Sequence, residues 1–310
     1  MKRLKLGSRG SKLALWQADY VSSQLTKIVP DLNVEIKVIK TKGDKILDVA
    51  LSRIGDKGLF TREIEKELLD GSIDMAIHSM KDLSSQLAPG LCIAAVLERE
   101  NPADVLISRQ GYRFYDLPEG AIIGTSSLRR ISQIRALRPD IILVDMRGNV
   151  ETRIKKMYEQ ELDGIVLAYA GVKRLGFEDK ISDFLPHDII LPAVGQGAIA
   201  IEVRQGDSVN LELAGSINHE PTDWATRTER SFLRVLEGGC QVPIGCYAEV
   251  RGENITVEGL IASLDGSQVF RGSIQGNYQE ADLIGQQLAH DLLHKGAASI
   301  LAEIREAGEY

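Results

Sequence analysis

The sequence predicts an α/β protein with two α/β domains and a small α+β C-terminal domain. A length of 310 residues is enough for two or three domains rather than one. Over the first two thirds of the chain, short apolar segments alternate with amphipathic stretches, a pattern typical of α/β layers with mostly parallel sheets. After Asn218 the pattern changes, and a helical stretch followed by three alternating segments indicates a three-stranded antiparallel sheet.

The individual elements follow from apolar periodicity and helix start signals. The predicted strands are Leu4–Leu6, Val34–Ile39, Met75–His78, Cys92–Val96, Val105–Ile107, Ala121–Gly124, Ile141–Val144 and Ile165–Ala168. The predicted helices between them are Lys12–Ile28, Thr61–Leu69, Leu128–Leu137 and Val150–Glu159. The C-terminal part is predicted to contain helices at Trp224–Leu236, Ala281–His290 and Gly296–Glu306, and strands at Tyr247–Arg251, Ile255–Leu264 and Gln268–Ile274. We expect Lys42–Gly58, which contains several glycines, to be a mobile loop.

Two short segments have the composition of crossings between domains. Glu98–Asp104 is polar with a central proline, and Leu191–Ala198 is rich in proline and glycine. A chain that leaves a first domain and later returns to it predicts a discontinuous domain 1 (1–98 and 196–217), domain 2 (103–191) and domain 3 (219–310). The first two would flank a cleft, resembling periplasmic binding proteins, and the cleft should collect the strand-to-helix loops.

Charge and cysteine content narrow the class of protein. The net charge of −7 argues against a nucleic-acid or anionic-membrane surface, and no segment approaches the roughly 18 apolar residues of a membrane span. The basic N-terminus lacks the uninterrupted apolar run of a secretory signal. Three cysteines, an odd and sparse set, make a disulfide framework unexpected. Together these features predict a cytoplasmic protein, with no apparent metal site.

Cys240 is the most distinctive of the three cysteines. Cys92 lies in an apolar run and Cys246 at a strand start, and both are expected to be structural. Cys240 follows two glycines and precedes Pro243, so its backbone can present the thiol with little steric cover. From the residues alone, a reactive and a buried Cys240 are equally compatible with this pattern.

A carboxylate and several arginines are further candidates. Asp82 follows the strand Met75–His78, where it could face a cleft or could cap the following turn. His78 is predicted to be packed within its strand. Arginines in small-residue segments, such as Arg9 in GSRGS, suit separate carboxylate contacts because guanidinium groups form bidentate pairs with carboxylates.

Ordered sequence blocks then identify a family. The segment ERSFLRVLEGGCQVPIG around Cys240 resembles the cofactor-attachment signature of hydroxymethylbilane synthases, also called porphobilinogen deaminases. Further blocks similar to that family occur in the expected order: GSRGSKLALWQ, GDKGLFTREIE, DMAIHSMKDLS, GTSSLRRISQ, RGNVETRI, AGVKRLG and LPAVGQGAIAIE. These blocks are distributed over the first 245 residues, whereas the last 60 or so resemble the family only loosely.

The resemblance implies a transferase of tetrapyrrole (haem) biosynthesis. Four porphobilinogens would be joined head to tail with loss of ammonia on a dipyrromethane primer, bound to Cys240 by a thioether, and water would release linear hydroxymethylbilane. Asp82 would be catalytic, stabilising positive charge as ammonia leaves. The implied cofactor-binding residues are Ser79, Lys81, Ser127, Arg129, Arg130 and Arg153. The implied substrate-binding residues are Arg9, Ser11, Arg147 and Arg174. Because Arg129 and Arg130 are about 100° apart on a helix, we expect them to hold different groups.

Three other classes of protein are weighed against this one. A non-catalytic two-domain binding protein for a small acidic ligand would use the same cleft and arginines, but it does not explain Gly-Gly-Cys in a third domain. A cysteine hydrolase needs a histidine in a motif suggesting a general base, and none of the five does so. A nucleic-acid-binding regulator is disfavoured by the acidity and by the absence of aromatic platforms. The family analogy also implies a monomer.

Overall fold

The computed structural model describes residues 3–45, 58–237 and 242–306, which form two five-stranded sheets and one three-stranded sheet. Thirteen strands make up these sheets. They are β1 (Arg3–Ser8), β2 (Asn33–Val38), β3 (Met75–Ser79), β4 (Leu91–Val96), β5 (Asp104–Ser108), β6 (Ile122–Gly124), β7 (Ile142–Val144), β8 (Gly164–Ala168), β9 (Asp183–Leu185), β10 (Ile199–Arg204), β11 (Ile244–Arg251), β12 (Asn254–Ala262) and β13 (Val269–Asn277).

Ten α-helices accompany the strands within the described ranges. They are α1 (Lys12–Ile28), α2 (Lys42–Lys45), α3 (Arg62–Leu69), α4 (Leu128–Leu137), α5 (Val150–Glu159), α6 (Tyr169–Arg174), α7 (Ser208–Gly215), α8 (Glu220–Val235), α9 (Ala281–Leu292) and α10 (Ala298–Glu306). Within the part of the chain that the structure describes, none of the helices combines the length and apolar character needed to cross a bilayer.

The first sheet has the order β2-β1-β3-β10-β4. β1 pairs in parallel with β2 and β3, whereas β10, which comes from much later in the chain, runs antiparallel between β3 and β4. Apolar side chains of β1, β3 and β10 pack under α1, whose buried face includes Ala18, Val21 and Leu25. This packing fixes the carboxyl end of β3, where Ser79 and Asp82 follow.

The second sheet repeats this plan with the order β7-β6-β8-β5-β9. β6 pairs in parallel with β7 and β8, and β5 runs antiparallel between β8 and β9. Two apolar clusters cover its faces. One includes Phe114, Ile123 and Ile134 of α4, and the other includes Met157 of α5 and Ile165.

Two adjacent segments connect the first two sheets. One runs from the end of β4 to the start of β5, and the other runs from the end of β9 to the start of β10. They touch closely, since Glu100 N–H donates to the Gly197 carbonyl at 3.3 Å and the Gln196 amide donates to the Pro102 carbonyl at 2.7 Å. Gly197 has a φ of +92°, and a Cβ there would collide with the Glu100 carbonyl oxygen, so a residue without a side chain is required.

The third sheet is antiparallel in the order β11-β12-β13, and α8 and α9 pack on it around Phe232 and Leu288. Helix α8 and the turn after β12 also contact the rest of the chain. Arg230 donates to the Ser84 carbonyl at 2.7 Å, and Arg135 of α4 donates to the Leu264 carbonyl at 3.0 Å. The segment that carries Cys240 lies between α8 and β11, and residues 238–241 are outside the described residues.

The mixed α/β class and the three-stranded antiparallel sheet predicted from the sequence are confirmed. The expectation of mostly parallel sheets is wrong for the strand pairs, because each five-stranded sheet contains two parallel and two antiparallel pairings. The long helices were located correctly, whereas α6, α7 and β9 were not predicted. Most of the loop predicted at Lys42–Gly58 lies outside the described residues; its first residues form α2. The proposed domain boundaries stay a prediction.

Candidate active site

Asp82 lies at the carboxyl end of β3, at the end of the helical turn Met80–Asp82. Its side chain is 34% exposed, and Oδ2 is 3.8 Å from a terminal guanidinium nitrogen of Arg9. Asp82 borders a small pocket whose lining also includes Arg9, Ser11, Gln17, Phe60 and Ser79. A partly exposed carboxylate at the border of a pocket can contact a ligand. A carboxylate that only capped the following turn would not need to border a pocket.

Arg9 is held by two partners that the sequence did not indicate. Its guanidinium pairs with Asp44 at 2.5 Å and lies 4.1 Å from the centroid of the Phe60 ring. Burial alone would raise the pKa of the Asp44 carboxyl. The Arg9 guanidinium outweighs that effect together with Thr41, and the pKa lies below its ordinary value. These contacts fix the guanidinium beside Asp82, in a position to bridge a ligand carboxylate.

Ser11 and Ser79 are positioned by α1. The Ser11 hydroxyl accepts the backbone N–H of Ala14 at 3.2 Å and thereby caps the helix. Ser79 exchanges hydrogen bonds with the buried amide of Gln17, at 2.9 and 3.2 Å. Gln17 is therefore a pocket residue that sequence reasoning missed. Its signal was a polar side chain on the otherwise apolar inner face of α1.

Lys81 extends from the same turn toward the second sheet. Burial lowers the pKa of its ammonium to about 8, and the nearby Asp82 carboxylate opposes that effect. Its Nζ is 3.5 Å from the side-chain oxygen of Gln196, which is buried in the second connecting segment. The charges of Arg129 and Arg130 add to the effect of burial, and that of Asp104 opposes it.

Arg129 and Arg130 are at the start of α4 and are both buried. Arg129 donates to Oδ2 of Asp104 at 2.7 Å, and Arg130 donates to Oδ1 of the same residue at 2.6 Å. Burial alone would raise the pKa of the Asp104 carboxyl, but these guanidinium groups lower it well below its ordinary value. Within the protein, the two arginines therefore share one carboxylate, which they approach from its two oxygens. That they hold different groups of the cofactor stays a prediction.

Ser127 is the N-cap residue of α4, and its hydroxyl makes no capping hydrogen bond. Asp104, which occupies the first position of β5, was missed by sequence reasoning. Its only signal was a charged residue immediately before the apolar strand, in ENPADVLIS. A buried acid in that position needs cationic partners, and the two arginines provide them.

Arg147 and Arg153 add more positive charge near α4. Nε and one terminal nitrogen of Arg147 are buried without a hydrogen-bond partner among the described residues. Arg153 donates from Nε to the Gly148 carbonyl at 2.7 Å. Burial, followed by the charges of Arg130 and Arg147, lowers the pKa of the Arg153 guanidinium to about 10, and the Asp82 carboxylate acts in the opposite direction.

Arg174 is engaged differently from the other predicted substrate-binding residues. It donates to the Gly197 carbonyl at 2.7 Å, and its guanidinium carbon is 5.4 Å from the centroid of the Trp16 ring. Arg174 therefore joins α6 to α1 and to the second connecting segment. Burial lowers the pKa of this guanidinium.

The two described cysteines do not have the character of reactive thiols. Burial raises the pKa of Cys92, and it raises the pKa of the fully buried Cys246 well above its ordinary value. Both were predicted to be structural, and both pack in apolar clusters. Cys240 lies outside the described residues.

A cofactor with several carboxylates fits this set of residues. The charges of Lys81 and Arg153 interact with the Asp82 carboxylate, and Arg147 lies near Arg153. The unpartnered nitrogen atoms of Arg147 are donors that lack acceptors among the described residues. Buried donors of this kind require an acceptor from a ligand or from water. The described residues contain no cluster of side chains that could hold a metal ion.

Comparison with known proteins identifies the chain. Residues 4–212 match the family model described as "Porphobilinogen deaminase, dipyromethane cofactor binding domain", and residues 225–294 match "Porphobilinogen deaminase, C-terminal domain". The chain belongs to the porphobilinogen deaminase family. The family resemblance predicted from the sequence blocks, the assignment as a transferase and the dipyrromethane cofactor of the family are thereby confirmed.

Several members of the porphobilinogen deaminase family are similar over their full length. The porphobilinogen deaminase of Syntrophomonas wolfei is 62% identical over 306 residues, covering 99% of this chain and 100% of that protein. That of Carboxydothermus hydrogenoformans is 56% identical, covering 98% of each. Among solved structures, the VFT2 domain of Bordetella pertussis BvgS is 15% identical with a TM-score of 0.43, covering 70% of this chain and 85% of that chain.

Proposed function

We propose that the chain catalyses the hydroxymethylbilane synthase reaction. Four porphobilinogens are joined head to tail, each losing ammonia, and the linear tetrapyrrole hydroxymethylbilane is released by water. In each condensation the bond between the methylene carbon and the amine breaks, a carbon–carbon bond forms to the next pyrrole, and that pyrrole loses a ring proton. A dipyrromethane on Cys240 supplies the nucleophilic pyrrole that primes the chain.

The observation that carries this proposal is the position of Asp82. Its partly exposed carboxylate borders the pocket and faces the Arg9 guanidinium. A carboxylate at this point stabilises the positive charge that develops on the substrate as ammonia leaves, and it can accept the proton released from the pyrrole ring. Arg9 binds a substrate carboxylate beside the reacting carbon.

The cationic residues provide the second part of the argument. Each pyrrole of the substrate carries an acetate and a propionate, so a growing chain accumulates negative charge. We assign Ser79, Lys81, Ser127, Arg129, Arg130 and Arg153 to cofactor binding, and Arg9, Ser11, Arg147 and Arg174 to substrate binding. Asp104 supports this arrangement, because its single negative charge holds Arg129 and Arg130 in place and still leaves the three side chains with a net positive charge. Arg174 supports the same arrangement, because its hydrogen bond to the Gly197 carbonyl joins α6 to the second connecting segment.

Further parts of the proposal follow the family and the composition. We propose that the protein acts in the cytoplasm as a monomer, without a nucleic-acid partner, and that porphobilinogen is its small-molecule substrate. We also propose three domains, over 1–98 with 196–217, 103–191 and 219–310. The agreement of these ranges with the membership of the three sheets supports that division.

Intact-mass measurement of the denatured, purified protein tests the proposal. The parent chain is expected to carry a covalent adduct of two linked pyrroles and to convert porphobilinogen to a tetrapyrrole with release of one ammonia per substrate. Cys240→Ser is expected to lack both the adduct and the activity, whereas Cys92→Ser keeps both. An active parent whose mass equals that of the bare polypeptide would refute the attachment, and a folded parent that never releases ammonia would refute the reaction.

A further inference from the structure

Behind the pocket, His78 and Glu202 form a buried pair that the proposed reaction does not use. Nε2 of His78 is 3.0 Å from Oε2 of Glu202, and the two side chains are 3% and 0% exposed. The pair joins β3 to β10, where Ala200 is opposite His78 and Glu202 is opposite Ala76. The sequence predicts His78 as a packed strand residue, and its burial agrees with that. Its acidic partner was not foreseen.

Glu202 depends on this one hydrogen bond. Its other oxygen, Oε1, is buried without a hydrogen-bond partner among the described residues. Neighbouring charged and titratable groups come from every side: Glu65 and Arg62 from α3, Cys92 from β4 and Arg230 from α8. Burial, and to a smaller extent the charge of Glu202, raise the pKa of Glu65. A buried carboxylate with a single donor holds that donor strongly, because losing it would leave the carboxylate without any hydrogen bond.

The hydrogen bond decides which nitrogen of the ring carries a proton. When Glu202 is ionised, its carboxylate oxygen can only accept, so Nε2 is the donor whether the imidazole is neutral or charged. In the neutral ring the proton therefore remains on Nε2, and Nδ1 keeps its lone pair. No described residue hydrogen-bonds to Nδ1.

His78 also borders the pocket that contains Asp82, Ser79 and Arg9. Porphobilinogen presents N–H donors on its pyrrole ring and its aminomethyl group, whereas the guanidinium of Arg9, which lines this pocket, is matched to its carboxylates. In its neutral form the His78 ring offers an acceptor, which complements the N–H donors of the substrate.

We propose that His78 is a further substrate-binding residue, whose Nδ1 accepts a hydrogen bond from an N–H group of the substrate while Glu202 holds the proton on Nε2. Glu202 acts through His78 and is a positioning residue. This inference rests on the proposed function, since the substrate supplies the donor.

Two variants separate this role from simple packing. In His78→Gln the glutamine amide can still donate to Glu202, so the buried carboxylate keeps a partner, but the ring acceptor is lost. In Glu202→Gln the shape is kept, but an amide can donate or accept, so it no longer fixes the proton on Nε2. Glu35→Gln, in an exposed pair with Arg3 on the edge strand β2, serves as the control for removing a carboxylate.

The experiment combines ¹⁵N NMR of the five histidines in the holoenzyme with steady-state kinetics. The His78 resonances, assigned by their loss in His78→Gln, are expected to show a proton on Nε2 in the parent and a mixture of tautomers in Glu202→Gln. Both variants are expected to lower kcat/KM roughly tenfold or more. The double variant should be no worse than the poorer single variant, and Glu35→Gln should match the parent.

The possible failures are distinct. A parent ring with its proton on Nδ1, or variants with parental kcat/KM, would overturn the inference even if the parent makes tetrapyrrole normally. A parent without tetrapyrrole synthesis would instead refute the proposed function, and the NMR measurement would still report the tautomer. Should Glu202→Gln fail to fold, the kcat/KM of His78→Gln and the tautomer seen in the parent spectra still test the proposal.

Discussion

Arg130 donates from Nε and one terminal nitrogen to a single oxygen of Asp104, at 3.2 and 2.6 Å. Its other terminal nitrogen donates to the Val166 carbonyl at 2.8 Å. Protein acceptors therefore take three of the five N–H groups of a residue assigned to cofactor binding. Arg130 is held rigidly before any ligand arrives, and that pre-organisation reduces the entropy lost when a carboxylate binds.

Asp104→Asn is expected to destabilise the fold strongly. The substitution leaves two buried guanidinium groups without their counter-ion, and breaking a buried pair in this way costs about 3–5 kcal/mol. The effect should depend on pH. The folded pKa of Asp104 lies below the ordinary value of 3.8, so its stabilisation is complete above that pH and is lost as the pH falls further.

Thermal unfolding across a pH series measures this effect. The difference in melting temperature between the parent and Asp104→Asn should be largest near pH 7 and should narrow toward pH 3. Asp140→Asn, which removes a partly exposed partner of Arg138, is the matched control and should melt close to the parent temperature. An equal loss in the two variants would contradict the special role of the buried carboxylate.

Asp82→Glu should separate cofactor loading from turnover. The longer side chain keeps the charge next to Arg9 but moves the carboxylate by about the length of one carbon–carbon bond, and displacements of that size can cost 10²-fold in rate. Intact mass should show a normally loaded holoenzyme, and kcat should fall by roughly that factor. Asp31→Glu, on the exposed turn before β2, is the control. Turnover near the parent level would reject Asp82 as the catalytic carboxylate.

Lys81 predicts a pH limit on cofactor loading. Its pKa of about 8 means that the positive charge is present below that pH and is lost as the pH rises through it. Incubation of the apoprotein with porphobilinogen, followed by intact mass, should show that loading slows as the pH is raised from 7 to 9. Lys81→Arg keeps its charge throughout this range, so it should load with a weaker dependence on pH. If the two proteins have the same pH profile, loading does not depend on the charge of this residue.

The sequence was sufficient for the elements that depend on local periodicity. α1, α4 and α5 were predicted with their observed bounds, because apolar spacing and capping residues such as Asn149 act within a few residues. The short α6 and β9 escaped prediction, because elements of six and three residues carry too little periodicity to be recognised. Their formation depends on pairing and packing with distant segments.

The candidate site divides in the same way. Asp82 and the arginines stand in recognisable sequence blocks, so a family resemblance was enough to select them. Their partners come from far along the chain: Asp104 meets α4 from the strand β5, and Glu202 meets His78 across 124 residues of sequence. No local pattern distinguishes such a partner from a solvated acid. Only the strand order brings the two groups together.

Gly197→Ala tests the close contact between the two connecting segments. Alanine at a φ of +92° adopts a strained backbone, and its Cβ would also meet the Glu100 carbonyl oxygen. Gly206→Ala is a matched control, because Gly206 has a φ of +81° but nothing within 4 Å of an added Cβ. The control should lose about 1–2 kcal/mol in the free energy of unfolding, which is the conformational cost alone.

Gly197→Ala should lose clearly more in the free energy of unfolding, measured by urea denaturation. Since Arg174 donates to the Gly197 carbonyl, kcat/KM should also fall in this variant alone. Equal losses of stability would show that the two segments can separate at little cost, as a freely opening hinge would require.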